Sequence, residues 1–184
     1  MWVRKFTQMI IIYNMKYIIT ESQLKVIVEE ERKVLHIPDI KIFGNWKNLQ
    51  EFLESKGNPF YSLGSGLKLT NGSECKTLGS MVSIDGSLDI SDNDVIRNLG
   101  QLRHVGGSLI MSRTSFITTL NKVKTIGETF YAQNSNLQNL GDLESVGRNC
   151  YLNGTPLSRT NISIEDIRRS IDIGGTLTIK KYDE

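Results

Sequence analysis

From Leu78 to Leu152 the apolar and polar positions recur with a period of about 21 residues. The units read LGSMVSIDGSLDI, LGQLRHVGGSLIM, LNKVKTIGETFYA and LGDLESVGRNCYL, and they open at Leu78, Leu99, Leu120 and Leu140, spacings of 21, 21 and 20. Apolar columns run through all four units: Leu78/Leu99/Leu120/Leu140, Met81/Leu102/Val123/Leu143, Ile84/Val105/Ile126/Val146, Leu88/Leu109/Phe130/Cys150 and Ile90/Met111/Ala132/Leu152. One such unit cannot bury its own apolar side. Stacking buries a continuous core, so the period predicts a solenoid with one short strand per turn.

The pattern extends both ways. Leu67-Lys68-Leu69 lies 21 residues before Leu88-Asp89-Ile90, and Ile173–Ile179 echoes Val105–Met111. That last copy comes 27 residues after Val146. A helix inserted over 158–172 accounts for the delay, with Ser163 as its cap, Asp166 at the third position after it, and Ile164, Ile167 and Ile171 marking one side. A final strand is predicted at Thr176–Lys180. The fold class is therefore α+β, a solenoid of about six short parallel rungs.

Ahead of the repeat, the period changes to that of a helix. Thr20 is a good N-cap with Gln23 in the capping-box position, and Leu24, Ile27, Val28 and Leu35 share one face. This predicts a helix of about 15 residues that Pro38 ends. Ile37 to Phe43 reads as an extended piece. A second helix is predicted at Trp46–Ser55, with Trp46, Leu49, Phe52 and Leu53 as its apolar face. Gly57, free to turn left-handed, and Pro59 terminate it. Both helices are assigned as the cap that an end rung needs, the alternative for the first being a binding or oligomerisation element of its own. The expected organisation is an extension at 1–14 (a translated upstream extension or an extra strand), a helical cap at 15–60, and the solenoid at 61–184.

Composition narrows the function classes. There are 22 basic and 20 acidic residues, net +2, and residues 61–184 carry 13 of each sign. Nothing there points to nucleic acid as the partner. The run Met9–Tyr13 is too short to span a membrane, which takes about 20 residues, so no membrane association is expected. Cys75 and Cys150 lack metal-ligand spacing. Cys75 aligns with Ile96 and Ile117, Cys150 sits in a core column, and both read as small buried hydrophobes too distant to pair. Gly86, Gly106, Gly107, Gly127, Gly147, Gly174 and Gly175 precede the strands. They are read as turn residues with positive backbone dihedrals, not as a phosphate-binding loop.

LDISDNDVI, LIMSRTSFI, FYAQNSNL and YLNGTPL place Asn93, Thr114, Ser135 and Thr155 after two inward apolar residues. This resembles the core of leucine-rich repeats, with the asparagine drifted to threonine or serine. The linking segment L-x-x-V/I-G-x-x is closer to the short, β-rich repeats of receptor L domains and bacterial surface leucine-rich-like proteins. The match covers about 63–157 and 173–180. It implies a solenoid that binds proteins or glycans through its strand face. The opening MKYIITESQLKVIVEEERKV, Met15–Val34, looks like that of small structural proteins of large tailed bacteriophages, which implies a virion or host-cytoplasm location.

Alternation directs Lys68, Asp89, Ile110, Tyr131, Tyr151 and Thr178 outward, stacked about 4.8 Å apart. The middle of this stripe is apolar and aromatic. It is either a binding face for another protein, virion proteins included, or a run of β-formers covered by the chain itself. The neighbouring column, Ser87, Ser108, Thr129, Asn149 and Thr176, either leaves the face flat or hydrogen-bonds along the stack. His36, at the end of the first helix, and His104, in a turn, have no common site. Asp85, Asp89, Asp92 and Asp94 match no calcium-loop spacing. Arg168-Arg169 is a compact basic doublet in the insert. No catalytic constellation emerges, so the expected protein is not an enzyme and uses no cofactor or metal.

Overall fold

The computed structural model describes residues 9–12, 15–18, 34–160 and 162–180. Compact packing divides the chain into Met1–Lys33 and Val34–Glu184. In the first unit, β1 (Met9–Ile12) and β2 (Met15–Ile18) pair antiparallel, Met9 opposite Ile18 and Ile12 opposite Met15. The first predicted helix lies at 20–33 outside the described residues. Its predicted end does not hold, because Leu35 belongs to a strand, β3 (Leu35–Ile37). Leu35 and Ile37 alternate with His36, the two-residue period of a strand, and Leu35 and Ile37 pair with Tyr61 and Leu63.

The second unit is an α+β solenoid built as two parallel sheets. Between β3 and the next rung come a short 3-10 turn at Ile40–Ile42 and α1 (Trp46–Ser55). Each rung then contributes two strands: β4 (Tyr61–Leu63) and β5 (Leu67–Lys68), β6 (Met81–Ile84) and β7 (Leu88–Asp89), β8 (His104–Val105) and β9 (Leu109–Ile110). The series continues with β10 (Thr125–Ile126) and β11 (Phe130–Tyr131), then β12 (Ser145–Val146) and β13 (Cys150–Tyr151). After α2 (Ile164–Ser170) it closes with β14 (Asp172–Ile173) and β15 (Leu177–Thr178). The first sheet has seven strands, β3 to β14, and the second has six, β5 to β15.

The expectation of one strand per turn is thus corrected to two. Both strands are only two or three residues long in most rungs, too short for alternation to announce them separately. The segment read as a turn before each Leu88-type strand carries its own ladder through Ile84, Val105, Ile126, Val146 and Ile173.

Every column named from the sequence lines the core, and only Leu140 among them is partly exposed. The column Cys75/Ile96/Ile117/Leu137/Leu157 adds a further wall. Both cysteines are free and buried, and burial pushes each thiol up to about 12.

The corner glycines are needed for a different reason than expected. Gly106, Gly127, Gly147 and Gly174 do not have positive φ. A Cβ on each would run into a carbonyl oxygen of the rung before, that of Asp85, Gly106, Gly127 and Gly147 respectively. The backbones pass too close between the two sheets for any side chain. Positive φ falls at other turns, where Asp92, Arg113, Asn134 and Gly154 form one column.

α1 starts at Asn45, whose side chain accepts from Asn48 N at 2.9 Å. It buries Trp46, Leu49 and Leu53 in the core, and it ends at Gly57 with φ +77°. At the far end, α2 has the expected capping box between Ser163 and Asp166. Ile167 and Ile171 are buried, whereas Ile164 is exposed, so the predicted apolar side of α2 is narrower than the spacing suggested.

Candidate functional site

Stacking in register makes each outward position of a rung into a column. In the second sheet the pairs Lys68–Asp89, Asp89–Ile110, Ile110–Tyr131, Tyr131–Tyr151 and Tyr151–Thr178 are direct neighbours. The six residues expected to form a stripe therefore do stand in one line. Lys68 and Asp89 form an ion pair at 2.8 Å. Tyr131 and Tyr151 stack with ring centroids 5.3 Å apart and planes 20° from parallel. Asn153 Nδ2 donates to Thr178 Oγ1 at 3.2 Å. Ile110, Tyr131 and Tyr151 are half-buried along this face. The stripe thus runs from a charged end, through an apolar and aromatic middle, to a hydroxyl.

Burial works against ionisation of Asp89. The hydrogen bonds from Lys68 and from the Ser91 hydroxyl and amide outweigh it and hold the carboxyl below its usual value. Asp92 is lowered chiefly by its hydrogen bonds with Arg113, whose second contact is 2.7 Å. Asp94 accepts from Ser115 Oγ at 2.6 Å. Three of the four carboxylates of the acidic cluster seen in the sequence, Asp89, Asp92 and Asp94, are thus answered by neighbouring rungs, one at a time. Among the described residues, no three His, Cys, Asp or Glu side chains gather where they could hold a metal ion.

The small polar column beside the stripe bonds along the stack. Ser108 N donates to Ser87 Oγ at 3.0 Å, Thr129 N to Ser108 Oγ at 3.3 Å, and Thr176 N to Asn149 Oδ1 at 2.8 Å. The buried column that resembles an asparagine ladder is only partly one. Asn93 spans two rungs, donating to Leu69 O and accepting from Val95 and Ile96 amides. Thr114, Ser135 and Thr155 are too short to reach, and each donates instead to the carbonyl three residues back, those of Met111, Ala132 and Leu152.

The first sheet presents a second outward column that the sequence reading missed: His36, Ser62, Ser83, His104, Thr125, Ser145 and Asp172. His36 is on a strand and not at a helix end, and His104 is on a strand and not in a turn. They share one column, three rung steps or about 14 Å apart. Each meets a hydroxyl of the next rung, His36 Nδ1 at 3.0 Å from Ser62 Oγ and His104 Nδ1 at 2.9 Å from Thr125 Oγ1. The signal was present, since every member sits one residue before a column of Ile, Leu or Val. The strands there are mostly two residues long and abut a glycine, so in the sequence the segment reads equally as a turn.

No helix among the described residues is long and apolar enough to cross a membrane. No protein-family model matches the sequence, and neither a curated protein nor a solved structure matches it.

Proposed function

We propose that the chain is a non-enzymatic interaction module, a leucine-rich-repeat-like solenoid that offers the second sheet's outward stripe to another protein. The observation that carries this is the Tyr131–Tyr151 stack with Ile110 beside it in register. Two rings fixed against each other lose little freedom on binding, and each keeps a hydroxyl for a partner's polar group. Lys68 and Asp89 at one end and Thr178 at the other form a polar border.

The test is affinity capture from the source with the wild-type chain and with a Tyr131→Ser, Tyr151→Ser double variant whose fold is verified by circular dichroism. A protein recovered in near-stoichiometric amount on the wild type and lost on the variant is the expected result. Equal recovery on both would overturn the proposal.

The same stacked pair favours a second reading, carbohydrate or host-surface binding, because sugar C–H faces pack on aromatic rings. A glycan array on which the double variant loses the signal would select it. The finer placement is a structural or accessory component of a large tailed bacteriophage, in the virion or the host cytoplasm. It rests on the resemblance of Met15–Val34. Enrichment in purified particles by quantitative mass spectrometry supports that placement. Absence from particles leaves a soluble role, such as blocking a host defence protein through the same face.

A further inference from the structure

The two sheets end differently at the N-terminal side. In the second sheet each rung donates backbone N–H groups to the next. Leu67 N reaches Ser87 O and Leu69 N reaches Asp89 O, both at 2.9 Å, and the pattern repeats down to Cys150 N on Thr176 O and Leu152 N on Thr178 O. By that parity the carbonyls of Gly66 and Lys68 face the place where an earlier rung would lie. Among the described residues neither has a donor, and β5 is the last strand of its sheet. The earlier rung exists in the first sheet as β3. Four residues beyond the Ile/Leu/Val column, every later rung has Leu, Phe or Cys and forms a strand. The first rung has Lys41 there, which an apolar core position does not admit, and the chain turns away through Ile40–Ile42.

Elsewhere, some of the backbone groups at the ends of the stack are met or removed. In the first sheet, Gly64 N donates to Ile37 O and Asp85 N to Leu63 O, so one donor of the first rung would be residue 38. That residue is Pro38, which has no N–H to leave unpaired. At the C-terminal side of the first sheet, two carbonyls that a further rung would use are Ile173 O and Gly175 O. The Arg168 guanidinium donates to both, at 3.1 and 2.7 Å.

At β5 there is a cleft of about 720 Å³, bounded by Ile40, Lys41, Trp46, Lys47, the 66–70 backbone and Glu74. From the edge and this cleft, we propose that β5 is extended by a segment of a partner polypeptide, added as the strand the first rung lacks. The register states its chemistry. Two residues, two apart, donate to Gly66 O and Lys68 O and turn apolar side chains inward. The residue between them points outward beside Lys68. That residue is acidic: it stands across Lys68 from Asp89, with which Lys68 pairs at 2.8 Å, and Lys47 at the cleft is in no ion pair among the described residues. An apolar–acidic–apolar segment is also what the far side of β5 already pairs with, Leu88-Asp89-Ile90.

This edge is separate from the tyrosine pair and does not rest on its role. The probe is a capped peptide, SLDIS, copying Ser87–Ser91, titrated to millimolar into the isotope-labelled full chain and followed by amide NMR. Saturable shifts confined to residues 40–47 and 66–70 are expected. Methylating the peptide's Leu and Ile nitrogens, which removes both donors, should weaken binding at least about tenfold. Replacing its Asp by Lys should weaken it too, and Tyr131→Ala with Tyr151→Ala should leave it unchanged. Absence of saturable shifts would overturn the proposal, as would equal binding of the methylated peptide. Shifts of the same residues with protein concentration alone, accompanied by dimers in sedimentation, would assign the edge to a second copy and likewise overturn it.

Discussion

The outward faces of the two sheets are built by the same rungs and share one core, yet they carry opposite chemistry. The first sheet shows a column of hydroxyls, two imidazoles and a carboxylate, in which each imidazole meets a hydroxyl of the next rung. The second shows an ion pair, then Ile110 and two stacked tyrosines, then a hydroxyl. A solenoid needs only its inward columns to fold, so the outward columns are free to differ. A polar ladder is enough to keep a sheet solvated. Half-buried tyrosines in line are more than solvation requires, and that asymmetry is the ground on which binding is proposed for the second face.

The comparison breaks most completely if the shared core is lost. Phe130→Ala removes the largest side chain from its core column and should cost about 3–5 kcal/mol, read as a lower urea midpoint. Cys75 and Cys150 provide a check on the intact core. With both thiols buried and pushed up to about 12, neither should react with Ellman's reagent at pH 8 until the protein unfolds. Next in size is the corner that separates the faces. Gly127→Ala sets a methyl against Gly106 O and should cost about 1–3 kcal/mol, with both sheets disturbed together.

Substitutions on the faces sharpen the contrast. Tyr131→Ala should cost about 0.5–1.5 kcal/mol from the lost ring stack and abolish partner capture. Ser83→Ala on the other face should stay within about 0.5 kcal/mol and leave capture intact. The smallest effect is the ion pair at the stripe's end. Asp89 is held below its unfolded value near 3.9, so its contribution is present above that pH and is lost as pH falls through the folded value. Asp89→Asn should remove under about 1 kcal/mol at pH 7 and flatten the acid side of a stability–pH curve.

The columns, α1, the capping box of α2 and the late last rung were legible because each rests on spacing or local capping, which a single chain displays. The outward stripe was legible for the same reason, once one strand was placed. The second ladder was not. Its strands are two residues long and abut a glycine, and Val105-Gly106-Gly107 reads equally as a turn. The glycines' true requirement, clearance from the carbonyl of the rung before, depends on stacking that no local window contains. Nor could the sequence show that Arg168 covers carbonyls of its own chain's last rung, because their orphan state exists only where the stack ends.

The most direct test of the two-faced account is photocrosslinking in the source cells, with a benzophenone amino acid placed at residue 151 in one variant and at residue 83 in another. The account predicts a discrete crosslinked partner from position 151 and none from position 83. The same crosslinks from both positions, or a partner from position 83 alone, would contradict it.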